Sequence, residues 1–161
     1  MGRFLGWVTG THTMRYHAHY HTSGEGHVYQ GRFKSFPVQE DEYFYTVCRY
    51  VERNALRAGL VDRAEDWRWG SLGRWLQKPE PELRLLSPWP IRRLQNWASR
   101  VNEPLSEKEL AAVRRCYSRS SPLGDKRWVE KIVCRFHLES TIRPRGRPRV
   151  RNLPPSLNKE A

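Results

Sequence analysis

Residues 39–61, QEDEYFYTVCRYVERNALRAGLV, decide how this chain is read. Glu40, Asp41 and Glu42 come first, and carboxylates suit the positive end of a helix dipole. Phe44, Cys48, Val51 and Ala55 follow at helical spacing and form the expected buried stripe. Gly59 supplies the residue that ends helices in a left-handed turn. A helix is therefore expected from the acidic cluster to Gly59. Tyr50 and Asn54, four apart, share one face beside that stripe, flanked by Arg49, Arg53 and Arg57. Cations beside a phenol favour its phenolate, and a carboxamide one turn on can ligate a hard metal ion through oxygen. Such a phenol can attack a phosphodiester. Taken alone, the pair also fits an ordinary tyrosine at a helix boundary.

Composition narrows the partners. The 161 residues carry a formal charge of +12, and a small chain this basic suits a polyanion through release of condensed counterions. Seven Trp and seven Tyr supply more core-forming residues than a disordered basic tail contains. Cys48, Cys116 and Cys134 form no CxxC pair, which predicts a reducing, cytoplasmic setting without a disulfide frame or zinc knuckle. The first residues do not read as a signal peptide, and no apolar run is long enough to span a bilayer, so no membrane partner is expected.

Outward from the central stretch, residues 3–18 read as a helix carrying Phe4, Leu5 and Val8, and residues 28–36 as an extended segment of interleaved aromatic and basic residues. Residues 62–77 are Trp-rich and read as a short helix or turn on the core. KPEPE at 78–82 marks a boundary, and SPWP at 87–90 a second break. Ser106 and Glu109 form a capping box for a helix to about Tyr117, and Asp125 caps a last helix bearing Trp128, Ile132, Val133 and Phe136. HAHYH at 17–21 has the look of a metal site, since alternate histidines on a strand share a face. Its flanks place it instead where a helix runs into a Ser/Gly loop, so exposed loop histidines are the expectation. RPRGRPRVR at 143–151 resembles an AT-hook, in which Arg143, Arg145, Arg147 and Arg149 would enter a narrow minor groove. A generic basic tail on phosphates is the competing reading.

Three strings occur in order: GHVYQGRFKSFPV, YVERNALRAGLV and DWRWGSL. Together they resemble the REP-associated tyrosine transposases, single-tyrosine members of the histidine–hydrophobic–histidine (HUH) endonuclease superfamily. The pattern YxxxNxxRAGLV is the most specific of them. The resemblance is strong over residues 1–77 and touches the stretch from Pro122 to the tail. It implies an α+β fold, part of a ferredoxin-like domain with an antiparallel sheet and helices on one face. Residues 1–77 would be the C-terminal portion of the catalytic domain, 78–140 a helical appendage and 141–161 a basic tail. It implies cleavage and joining of single-stranded or hairpin DNA in transposition, with Tyr50 as nucleophile and Asn54 completing a Mg2+ or Mn2+ site. Arg32 and Lys34 would hold DNA phosphates. The paired metal histidines of the family have no counterpart here and would lie before residue 1. A non-catalytic DNA-binding remnant is therefore the alternative function. Oligomeric state is open.

Overall fold

Asp41 opens the central helix: its carboxylate accepts the Tyr43 amide N–H at 2.9 Å, and helix α2 runs Glu42–Glu52. The computed structural model describes residues 2–29, 31, 33–77 and 86–144. A single turn at Arg53 joins α2 to α3, Asn54–Arg57. Arg53 donates to the Arg49 carbonyl, and Arg57 to the Arg53 carbonyl, so the helical ladder passes through the join. Gly59 ends it at φ +69°. There Leu60 N–H reaches the Ala55 carbonyl and Gly59 N–H the Leu56 carbonyl, a Schellman closure that a left-handed glycine permits.

The remaining elements are helical too. Helix α1 spans Gly2–Tyr20. A 3-10 turn, Ala64–Asp66, leads into α4, Ser71–Gln77. Helix α5 is Trp97–Asn102, α6 Glu107–Arg119, α7 Lys126–Phe136 and α8 Glu139–Ile142. The capping box at Ser106 and Glu109 forms as read from the sequence, and Asp125 caps α7 by accepting from the Trp128 amide. Among the described residues no helix is long and apolar enough to cross a membrane.

The expected α+β architecture is not what the chain forms. Among the described residues there is no sheet; extended pairing is limited to one parallel bridge, Val38 to Leu123. A strand is stable only with a partner ladder and an apolar face to cover. The segment 33–39 instead lays Phe36 on helices and pairs once, through Leu123 N–H to the Pro37 carbonyl and Gln39 N–H to the Leu123 carbonyl. Gln39 extends the clasp by donating to Asp125 Oδ2 at 2.8 Å and accepting the Asp125 amide at 2.9 Å.

Two apolar clusters result. Tyr45, Ala64, Leu72, Trp97 and Val101 build the first, with Trp89, Ile91 and Leu94 packed on it. Val113, Cys116 and Leu123 build the second, with Phe36, Tyr43, Val47 and Tyr50 on its flank. Each draws residues from both sides of the expected boundary at 78–82, which itself lies outside the described residues. Gly73 lets α4 close on the 3-10 turn, since a Cβ there would stand 2.6 Å from the Glu65 carbonyl oxygen.

The buried face of α2 and α3 keeps part of the expected stripe, since Ala55 is buried and Cys48 packs on the first cluster, and departs from it elsewhere. Val51 is 62% exposed, whereas Tyr45, Arg49 and Glu52 are buried. Glu52 is held by three groups: Ser71 Oγ and Trp97 Nε1 each donate to it at 2.6 Å, and Arg93 stands 3.9 Å away. The Arg93 guanidinium lies between Trp89, at 3.8 Å, and Trp75, at 4.5 Å. Arg49 donates from Nε to the Arg100 carbonyl at 2.9 Å, from Nη2 to the carbonyls of Glu103 and Pro104, and from Nη1 to Glu109 at 3.5 Å. This one side chain pins the α5–α6 connection to α2.

Candidate nucleic-acid site

The fold uses a definite subset of the string YVERNALRAGLV. Glu52 anchors α4 and α5, Ala55 is buried, and Gly59 closes the helix. Of the rest, Tyr50, Asn54 and Arg57 lie together on a surface ridge, with Val51, Arg53, Ala58 and Leu60 beside them. Tyr50 is half-buried against the second cluster. The Arg57 guanidinium sits 5.1 Å from its ring centroid, a cation–π distance. Arg57 also donates to Asn54 Oδ1 at 2.7 Å. Tyr50 and Asn54, to which the resemblance gives roles, are thus linked through Arg57.

Two recesses flank the ridge. On one side Tyr50, Arg53 and Arg57 face Pro104, Leu105, Glu107 and Leu110 across a hollow of about 190 Å3. On the other, Val51, Asn54, Ala58 and Leu60 face Trp67, Trp69 and Ser71 across about 280 Å3. The far wall of the first recess comes from the start of α6, some fifty residues on, and no local signal in the sequence marked it. Its shape depends on the Arg49 clamp and on Glu109, which closes the capping box. Burial pushes the Glu109 carboxyl up, but hydrogen bonds from Ser106 and the positive charges of Arg49 and Arg100 outweigh that and hold it below its usual value. On the second side, Asn102 accepts the Ala64 amide and donates to Glu65. The same balance, burial opposed by Asn102 and Arg63, sets the Glu65 carboxyl low.

Of the other residues read as DNA contacts, Lys34 is exposed and lines a separate groove with Tyr29, Phe33, Tyr117 and the start of α1. It is not among the residues of either recess. Arg143 is exposed just after α8, and its backbone carbonyl accepts from Arg119. Arg32, Arg145, Arg147 and Arg149 lie outside the described residues.

The histidines of HAHYH fall further into the helix than the sequence reading had them. His17 and His19 occupy the last turn of α1, and His21 follows at φ +55°. Two positions apart on a helix is about 200° of rotation, so His17 and His19 point to opposite sides. His17 Nδ1 lies 2.8 Å from the Thr22 hydroxyl, and His12 Nδ1 lies 2.9 Å from that of Tyr29. Among the described residues no group of three or more His, Cys, Asp or Glu side chains converges on a point that would hold a metal ion. Asn54 contributes one oxygen, which already accepts from a guanidinium. These residues therefore do not form a cradle for Mg2+ or Mn2+. Cys48 is no rival nucleophile: burial, and then the neighbouring Glu52, push its thiol up to about 12 against the pull of Arg93.

No family model matches the chain, and neither a curated protein nor a solved structure matches it at a significant level.

Proposed function

We propose that this chain binds single-stranded or hairpin DNA as a transposase of the single-tyrosine kind, with Tyr50 as the nucleophile of a DNA-cleaving and joining reaction. The observation that supports it most is the ridge itself. The fold accounts for Glu52, Ala55 and Gly59 of the motif, and sets Tyr50 and Arg57 at a recess lined by a second arginine, Arg53, with Asn54 held to Arg57 from the neighbouring recess. A phosphate seated there would meet two guanidiniums, which bind phosphate oxygens through paired N–H donors. In the reaction the Tyr50 oxygen bonds to phosphorus, the bond from phosphorus to the 3′ oxygen breaks, and the phenolic proton leaves to solvent. The DNA 5′ phosphate ends on tyrosine, and the departing strand takes a proton to become a 3′-OH. The net charge of +12 adds sequence-independent attraction for the strand.

A non-catalytic DNA-binding module is the second reading. The Arg57–Asn54 hydrogen bond favours it, because it occupies the oxygen that the metal role would need. One experiment separates the two. Labelled hairpin DNA is incubated with the chain in Mg2+ or Mn2+, and covalent adducts are resolved under denaturing conditions. A transposase gives an adduct that disappears completely in Tyr50→Phe, with equilibrium binding kept within about a factor of two, since the lost hydroxyl is not itself a charged phosphate contact. Binding without any adduct selects the second reading. An adduct that survives in Tyr50→Phe removes Tyr50 from the chemistry.

A further inference from the structure

Resting on the DNA reading above, we infer that the recess between α3 and the Trp67–Ser71 stretch is a pocket for one unpaired nucleobase of the bound strand. Trp69 supplies the stacking face and Asn54 the polar edge. Three of the seven tryptophans have a packing use: Trp75 and Trp89 stack on Arg93, and Trp97 is sealed in the core on Glu52. Trp69 is 69% exposed, the most exposed large apolar side chain described. It is held there by a tight turn in which Gly70 N–H donates to the Trp67 carbonyl at 2.9 Å, and a Cβ on Gly70 would come within 3.2 Å of that oxygen.

The recess suits a base better than a phosphate or a peptide. At about 280 Å3 it lies just below the range of pockets for drug-sized ligands, about 300–1,000 Å3, and matches a single ring system. Its lining is more apolar than polar, with Val51, Leu60, Trp67 and Trp69 around it, and each oxygen of its one carboxylate, Glu52, already accepts a hydrogen bond, from Ser71 and Trp97. Positive charge sits nearby: the Arg68 guanidinium lies 4.7 Å from the Trp69 ring centroid, and Arg57 stands across the ridge beside Tyr50. Apolar aromatic walls with arginines around them are how single strands are held, bases stacked and backbone neutralised. Asn54 keeps its amide nitrogen as a donor for an acceptor on the base edge, its oxygen being taken by Arg57. Because Asn54 lines this recess and its partner Arg57 lines that of Tyr50, the base held here belongs to a nucleotide adjoining the phosphate at Tyr50.

The test is an abasic scan. Equilibrium binding of the full chain to a labelled single-stranded oligonucleotide is measured with each base removed in turn. One position should weaken binding about 5- to 100-fold, the range of a lost base–aromatic stack. Trp69→Ala should weaken binding of the intact strand by a similar factor and become indifferent to the base at that position. Trp69→Phe should restore both. An unchanged thermal midpoint in Trp69→Ala shows that the fold is kept. A scan with no sensitive position, or one unaltered in Trp69→Ala, overturns the pocket while leaving DNA binding standing. Absence of binding to any strand overturns the DNA reading, and the pocket with it.

Discussion

Glu52→Ala should be the most damaging single truncation in this chain, lowering the unfolding free energy by about 3–5 kcal/mol, the cost of breaking a buried ionic group away from its partners. The Glu52 side chain is 4% exposed. Its two oxygens accept from Ser71 and Trp97, and it is the carboxylate nearest the half-buried Arg93. Alanine would strand two donors and a guanidinium whose Nη2 makes no hydrogen bond of its own. It would also leave a cavity beside Leu72 and Trp97. In a chain of this size the thermal midpoint should fall by roughly 6–20 °C. Glu52→Gln should be milder, since one amide oxygen remains to accept from Ser71 or Trp97. Urea melts followed by tryptophan fluorescence give the values. A change below about 1 kcal/mol for Glu52→Ala, the scale of an exposed ion pair, would mean that water reaches the group.

Arg49→Ala should follow closely, at about 2–4 kcal/mol, because the side chain is only 7% exposed and donates to three carbonyls and a carboxylate. Arg49→Lys should recover little. An ammonium is a point donor and cannot span groups that the guanidinium reaches from three nitrogens. The loss also has a functional reach. Pro104, Leu105 and Leu110 form the wall opposite Tyr50, and Arg49 is what ties their segment to α2. The proposed DNA binding at the Tyr50 recess should therefore weaken in Arg49→Ala even where most of the chain is still folded; Glu52→Ala, which also removes a lining group of the proposed base pocket, should weaken binding through both structure and site. Equal midpoints for wild type, Arg49→Ala and Arg49→Lys would show that the clamp carries no net stability.

What could be read in advance was what local chemistry determines. The acids at 40–42 open α2, Ser106 and Glu109 box the start of α6, Asp125 caps α7, and Gly59 ends its helix, because each device is satisfied within a few residues. What could not be read depends on distant partners. An arginine on the flank of an amphipathic helix reads as solvated, and nothing near Arg49 announces the carbonyls of Arg100, Glu103 and Pro104. Val51 looks like core by spacing, yet none of the described elements covers it. Trp89 sits in a Pro-bracketed break and still stacks edge-on against Trp97, with ring centroids 5.0 Å apart. The expected sheet failed for the same reason: residues 28–36 read as an extended segment, but the chain's extended pairing among the described residues is a single bridge beyond it, Val38 to Leu123. Tyr50 and Asn54 were legible as a shared face. That Arg57 would couple them was not.

The short clasp of Gln39 on Asp125 joins residues 86 apart. Closing a free loop of that length costs about 4 kcal/mol in chain entropy, more than a few hydrogen bonds return. The clasp is therefore expected to form once α2 has docked on α6 and shortened the loop, as a latch thrown last. Its amides, Leu123 and Asp125, then report on docking rather than on their own surroundings. In Arg49→Ala, where that docking is weakened, their hydrogen exchange should quicken together although neither residue touches the altered site. Exchange at wild-type rates there would mean that the latch holds without the dock.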